Sequence, residues 1–262
     1  GKTMGLFPYG KENSEIPDIY TNYDGRSDWA TTNRDLIVPT YPNGAVVNKG
    51  RFLELREPMD TSGVKDLTQL DNRRDMAYAI QTESQQMVLD LIRKAVAMSG
   101  NNNVVLSGGY GLNCVANYWY LDQLKDEDIN VFVEPVSNDA GTAVGAAYLA
   151  YHRITNDTRI HNKINDLYYG PEYMYDEHTI SKIAEKYNAT SISTSATDKD
   201  VVELITNKNI VALFQGRSEA GPRALGNRSI LYDPRDPNGK DHVNAVKHRE
   251  YFRPFAGSIL KE

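Results

Sequence analysis

One cysteine, Cys114, is all that the sequence holds. An intramolecular disulfide is therefore excluded, and the chain reads as a protein of a reducing compartment, the cytoplasm. Long apolar runs are missing too. None approaches the roughly 20 residues that a membrane span needs, and the opening Gly1-Lys2-Thr3-Met4-Gly5 lacks the apolar segment of a signal peptide. Excess positive charge is absent: the formal net charge is −6, which argues against a general nucleic-acid or membrane binder. Tyrosine is abundant at 17 residues, but the tyrosines are scattered and form no repeat, so a repeat array is not indicated.

What is there suits a globular protein. The 262 residues are enough for one large domain or two modest ones. An apolar content of 40% with 24% charge is ordinary for a soluble fold. Residues 12–63 are polar and aperiodic, broken by Pro17, Pro39, Pro42 and Pro58. Short strands are expected there around Leu36-Ile37-Val38 and Ala45-Val46-Val47. A long helix is predicted from Asp71 to Ser99. Met76, Ala79, Ile80, Met87, Leu91, Ala95 and Met98 recur at mostly helical steps, and Gly100 stops it.

Two β-loop-α units follow. Val104-Val105-Leu106-Ser107 reads as a strand, Gly108-Gly109-Tyr110-Gly111 as a loop, and a helix begins near Asn113 with Val115, Tyr118, Trp119 and Leu121 available for burial. A strand feeding a Gly-rich loop and a helix N-terminus is an anion site in outline, because free N–H groups and the helix dipole face the ligand. A tight turn is the simpler reading of the glycines, and neither the G-x-G-x-x-G nor the Walker spacing is met. Asn130 to Pro135 is the second strand, Ser137-Asn138-Asp139-Ala140-Gly141 its loop, and a small-residue helix runs from about Thr142 to His152. Asp139 serves as an N-cap or as a ligand. Cys114 has no activating partner placed by sequence and is expected to be a buried small side chain.

Beyond a turn at Gly170-Pro171-Glu172, helices are expected over 177–187 and 199–206, the latter capped by Asp198, with a strand at Ser191-Ile192-Ser193 between them. Then comes the densest stretch of the chain. Ile210-Val211-Ala212-Leu213-Phe214 reads as a short buried strand. It runs into Gln215-Gly216-Arg217-Ser218-Glu219-Ala220-Gly221-Pro222-Arg223-Ala224-Leu225-Gly226-Asn227-Arg228-Ser229. Glycines allow close backbone approach and positive φ. Arg matches phosphate or carboxylate oxygens in bidentate fashion. The stretch is an anion cradle or a surface loop with solvated arginines. A further strand is expected at Ser229 to Tyr232 and a short helix from Asp241 to His248. With Arg235, Lys240, Lys247, Arg249 and Arg253, the region is locally basic. An RNA site is disfavoured, since exposed stacking aromatics on a sheet are not evident.

The run from Gly216 to Ile230, then Asp233-Pro234-Arg235, then Phe252-Arg253-Pro254-Phe255-Ala256, resembles the NodU/CmcH/TobZ family of O-carbamoyltransferases, which writes GR-x-E-x-GPRALGNRSI, DPR and FRPFA in that order. Lys2-Thr3-Met4-Gly5-Leu6 to Gly10, Ser107-Gly108-Gly109 with Asn113, Cys114 and Asn117, and Asp139-Ala140-Gly141 match further family motifs. The resemblance implies an α/β fold. It would be the second half of an actin/hexokinase/heat-shock-type ATPase (ASKHA) domain over 1–165, then an incomplete YrdC-like domain over 166–262. It implies carbamoyl adenylate formation from carbamoyl phosphate and ATP, and transfer of the carbamoyl group to a hydroxyl of a small acceptor such as a sugar, an antibiotic or a nodulation-factor precursor.

The resemblance also assigns residues. Arg217, Arg223 and Arg228 would hold phosphate or adenylate, with Arg253 a weaker candidate. Ser107, Gly108, Gly109, Asn113 and Gly141 would border nucleotide, and Asp139 would bind a metal such as Fe(II). Two departures stand out. Ala220 replaces the usual aromatic, and the five histidines (152, 161, 178, 242 and 248) include no His-x-x-x-His pair. The chain is accordingly expected to be a fragment of a longer enzyme or one piece of a split one. It would expose apolar surface and dimerise or require a partner chain. The alternative is a non-catalytic nucleotide- or phosphate-binding subunit of a split enzyme. A tRNA-modification partner ranks behind both.

Overall fold

The computed structural model describes residues 2–21, 71–159 and 165–260, together with the backbone of 31–32, 37–40 and 44–47. Leu36, Pro42, Pro58 and His161 lie outside the described residues. Two units are distinguished: residues 1–134 with 252–254, and residues 135–251 with 255–262.

In the first unit α1 (Lys2–Leu6) is followed by a single 3-10 turn, Phe7–Tyr9. Two antiparallel pairs come next: β1 (Tyr20–Thr21) with β2 (Thr31–Thr32), and β3 (Ile37–Thr40) with β4 (Gly44–Val47). Helix α2 spans Asp71–Ser99, as its periodicity predicts, and Gly100 ends it at φ +67°, where a Cβ would be strained. Strands β5 (Asn103–Leu106) and β6 (Asn130–Val133) pair in parallel, joined through α3 (Cys114–Leu124). Helix α3 lies against α2 and one face of this sheet. Leu89 and Ile92 of α2 meet Ala116, Tyr120 and Leu124 of α3, with Val104, Leu106 and Val131 beneath. Each large apolar side chain buried here contributes about 1.5–3 kcal/mol over its exposed state.

The faces of both helices differ from expectation. In α3 the buried positions are Ala116, Tyr120 and Leu124, while Tyr118 and Leu121 are exposed. In α2, Leu91 and Met98 are exposed, and the buried stripe includes Asp75, Gln81, Ser84 and Gln85. Apolar periodicity misses such a stripe because these polar groups are buried with partners. Asp75 accepts from the Lys11 N–H at 3.0 Å and from Asn13 Nδ2 at 2.9 Å. Glu83 accepts from the Ile19 and Tyr20 N–H groups. These bonds tie the opening segment along α2. Cys114 is exposed, not buried: it occupies the first position of α3, and its S–H points to Met4 Sδ at 3.7 Å.

The second unit begins with α4 (Asp139–Thr155), a helix with no buried residue, on which Leu149 and Ile154 are exposed. Helices α5 (Glu177–Lys186) and α6 (Asp198–Thr206) follow. Thr197, not Asp198, caps α6. Its hydroxyl accepts from the Asp200 N–H while the Asp200 carboxylate accepts from the Thr197 N–H, a reciprocal capping box. The expected strand at Ser191 to Ser193 is irregular and exposed, with Ile192 its one apolar side chain. Strands β7 (Val211–Ala212) and β8 (Ile230–Leu231) pair antiparallel, and α7 spans Gly239–Val246. Phe214 is 56% exposed, so the run before the Gly/Arg stretch is shorter and more open than a buried strand.

Candidate functional site

In the first unit, Gly108 takes φ +86° and starts a 3-10 turn over Gly109–Leu112. Asn113 caps α3, its side-chain oxygen accepting from the Ala116 N–H at 3.2 Å. That capping side chain is itself held. Gln81, 2% exposed, donates to Asn113 Oδ1 at 3.2 Å and accepts from Asn113 Nδ2 at 2.9 Å. Tyr110 donates to Ser84 Oγ at 3.0 Å, and Asn117 Nδ2 donates to the Gly111 carbonyl at 2.7 Å. The polar ridge of α2 therefore positions the whole Ser107-to-Asn117 turn. No described atom lies within 4 Å of where a Cβ would stand on Gly108 or Gly109. This edge of the turn is open.

Asp139 is the first residue of α4 and is exposed; Asn138 holds the cap position, without a side-chain cap bond. Gly141 has a packing reason to be glycine: a Cβ there would sit 2.4 Å from the Val136 carbonyl oxygen. Among the described residues no group of three His, Cys, Asp or Glu side chains could hold a metal ion. Asp139 by itself does not make an Fe(II) or other divalent site, which ordinarily takes about three or more protein ligands. The residues described do not fit that group.

The Gly/Arg stretch is the end of a hairpin whose arms run past β7 and β8. The Leu213 N–H donates to the Ser229 carbonyl at 2.7 Å and the Gln215 N–H to the Asn227 carbonyl at 3.1 Å. Gly221 and Gly226 have φ of +91° and +114°, so the turns there need glycine; Gly216, at +51°, takes a φ that Asp128 and Lys208 also adopt. A second strand of backbone runs alongside. The Gly170 N–H donates to the Ser218 carbonyl at 2.9 Å, and Ser218 and Ala220 donate to Pro171 and Leu167.

The three arginines divide into two kinds. Arg217 donates to the carbonyls of Gly170 at 2.9 Å and Tyr169 at 3.3 Å. Arg228 donates to the carbonyls of Gln215 at 2.7 Å, Asn227 at 2.9 Å and Gly216 at 3.2 Å. Its guanidinium also lies 3.7 Å from the ring centre of Phe214, whose ring neighbours Tyr173 and Tyr175. Both thus clamp backbone. Arg223 is exposed between Pro222 and Ala224 and has no hydrogen bond or ion pair among the described residues.

Glu219 is the residue that motif reading passed over. Its Oε1 accepts from the N–H groups of Leu225 and Asn227, both at 2.8 Å, and of Arg228 at 3.3 Å. Desolvation pushes its carboxyl up, but the backbone N–H groups of Leu225, Glu219 itself, Asn227 and Arg228 outweigh that and bring it down to about 2. The three N–H groups that would cradle an external anion are filled from within the loop.

Most of the downstream basic residues also have local partners. Arg235 is bidentate on Asp233, at 2.9 and 2.7 Å, and this pairing holds the Asp233 carboxyl at about 2. Lys240 donates to Asp241 and to the Tyr251 carbonyl. Arg249 bonds the Asn244 side chain and lies over Phe255. Phe252 is buried within the first unit, where a Cβ on Gly5 would come within 3.3 Å of its ring.

Comparison with known proteins agrees with these motifs. The family model described as carbamoyltransferase N-terminus matches residues 1–148, and that described as carbamoyltransferase C-terminus matches residues 202–262. An uncharacterized protein of Synechocystis sp. is 34% identical over the whole chain, which covers 43% of that protein. Nodulation protein NolO of Bradyrhizobium diazoefficiens is 32% identical over the whole chain, covering 45% of it. A 3'-hydroxymethylcephem-O-carbamoyltransferase of Streptomyces clavuligerus is 36% identical over 58% of the chain and 27% of its own length. The chain thus spans less than half the length of these curated relatives.

Proposed function

This chain belongs to the carbamoyltransferase family, and on that premise we propose that it is part of an O-carbamoyltransferase acting in two steps. Carbamoyl phosphate, ATP and water give carbamoyl adenylate, pyrophosphate and phosphate. The hydroxyl oxygen of a small acceptor then attacks the carbamoyl carbon, AMP leaves and the hydroxyl proton is lost. The cephem named in the Streptomyces relative and the nodulation role named in the Bradyrhizobium relative support acceptors of that class.

Arg223 is the residue proposed to meet the phosphate. Its lack of a partner among the described residues, beside two arginines that clamp backbone, carries the proposal. A guanidinium aimed at phosphoryl oxygens neutralises and orients them without a covalent step. Arg217 and Arg228 act by fixing the hairpin end. Ser107, Gly108, Gly109 and Asn113 are proposed to border nucleotide in an ASKHA-type domain over 1–165, with Gly141 shaping the second turn. The segment 166–262 is proposed to open a YrdC-like domain. Asp139 would serve a divalent metal only with ligands beyond those described. No helix among the described residues is long and apolar enough to cross a membrane. A cytoplasmic enzyme remains the proposal, and the uncovered α4 favours a covering surface from a partner or a second copy.

Calorimetric titration of the chain with carbamoyl phosphate and with ATP tests this. Micromolar binding of carbamoyl phosphate that weakens at least about tenfold in Arg223→Ala, the cost of losing one charge-assisted contact, is expected. Binding that is unchanged in the variant would remove Arg223 from the site. A folded chain that binds neither ligand would overturn the claim that this hairpin is a working phosphate site.

A further inference from the structure

We infer that Glu219 is the positioning residue of the Gly/Arg loop: an internal anion that gathers the N–H groups of Leu225, Asn227 and Arg228 and so holds Arg223 out for a ligand. Its functional part rests on the reading of Arg223 as the phosphate contact; its structural part does not.

The geometry is that of a backbone nest with its anion built in. Successive N–H groups that converge on one point make a concave site for a carboxylate or phosphate. Here the point is Glu219 Oε1, reached by donors six, eight and nine residues later in the chain. The N–H of Gly226, which lies between these donors, is satisfied separately by Ser229 Oγ at 2.9 Å. Positive φ at Gly221 and Gly226 lets the backbone fold around the carboxylate. On the other side, Asn227 Nδ2 donates to the Arg217 carbonyl at 2.7 Å, and Tyr168 donates to the Leu225 carbonyl at 2.9 Å. Glu219 therefore closes a loop whose two ends are braced by Arg217 and Arg228, and Arg223 lies within the closed span.

Two consequences follow. A ligand phosphate does not take the amides of Leu225, Asn227 and Arg228, because they are already engaged; it is held by the Arg223 side chain. Removing the carboxylate leaves three convergent donors, one exposed and two part-buried, without their acceptor. The loop must then open or recruit water or an anion from solution.

The test is hydrogen exchange at the amides of Leu225, Asn227 and Arg228 in the full chain, alongside carbamoyl phosphate titration. In Glu219→Ala, exchange at those amides should accelerate at least about tenfold while amides of β5 stay protected, and affinity should fall about tenfold. Formate should restore protection in part, by refilling the nest. Glu219→Gln, which keeps an oxygen acceptor, should lie between wild type and Glu219→Ala, and it also serves if the alanine variant folds poorly. Arg223→Ala should lose ligand and keep all three amides protected. Unchanged exchange in both Glu219 variants would overturn the inference. If the wild type binds no carbamoyl phosphate yet the amides deprotect in Glu219→Ala, the phosphate reading falls and the role of Glu219 in building the loop stands.

Discussion

The molecule carries two glycine-rich turns of the kind that bind anions, and it builds them in opposite ways. The turn at Ser107 to Asn113 is supported from below. Gln81, Ser84 and Asn113 fix its base, while its glycines face open space. The turn at Gly216 to Arg228 is filled from within. Glu219 takes the amides, Arg217 and Arg228 take carbonyls, and Arg223 is left over. Gly108 and Gly109 of the first turn meet open space, and Gly108 also takes a positive φ. Most residues in the second are there for each other. Density of motif therefore measures internal wiring as much as ligand contact.

The contrast is sharpest at the glycines, and the largest effect is expected there. An ideal Cβ on Gly170 would lie 1.9 Å from Ser218 Oγ and 2.8 Å from the Ser218 carbonyl oxygen. The hydroxyl can rotate away, but the carbonyl belongs to the backbone pairing that carries the Gly/Arg turn. Gly170→Ala should cost about 1–3 kcal/mol or somewhat more, the usual penalty for forced overpacking. Gly109→Ala, with nothing near its Cβ, should stay within about 0.5 kcal/mol. Urea midpoints of the two variants, measured side by side, decide the matter. Equal losses would mean that the two turns are not built differently.

An intermediate effect is expected at the base of the first turn. Gln81→Leu keeps the volume but strips Asn113 of both its hydrogen bonds to Gln81 and leaves Gln85 without its 2.6 Å donor. The buried groups left behind should make the loss about 1–3 kcal/mol. Amide exchange at the start of α3 should accelerate, because the cap is no longer held. A variant as stable as wild type, with the cap intact, would show that α2 merely lies beside the turn.

The same asymmetry explains what could be read from sequence. Helix α2 was legible end to end, because Asp71 to Ser99 repeats apolar residues at helical steps and Gly100 stops it. Its buried face was not, because Gln81 and Gln85 look like surface residues until it is known that Gln81 bonds Asn113 and donates to Gln85. The Thr197–Asp200 box was legible as T-x-x-D, yet Asp198 drew the attention as the nearer acid. At the Gly/Arg turn the family and the stretch were plain, but three arginines looked alike. What separates them is tertiary: Arg217 reaches across to Gly170, some 47 positions earlier. Glu219 was hidden for a related reason. A lone acid among arginines suggests an ion pair, whereas its actual partners are backbone N–H groups that sequence does not display.

The smallest effect at neutral pH, and the most specific, concerns that carboxylate. Glu219 sits at about 2 in the folded chain against an ordinary 4.5. The folded state therefore binds its proton more weakly than the unfolded state does. The contribution to stability is complete above about pH 4.5 and is lost as pH falls towards 2. Asp233, held at about 2 by Arg235, loses its share in the same direction, so the wild-type chain should destabilise steadily through this range. Glu219→Gln removes one of the two contributions. Melting temperatures of wild type and variant should differ above pH 5 and converge as the pH is lowered towards 2, while an Asp233→Asn comparison behaves likewise and independently. A gap between wild type and Glu219→Gln that stays constant from pH 7 to pH 2.5 would show that the carboxylate carries no charge-dependent load. The second turn would then be held by its arginines, and the contrast with the first would rest on them alone.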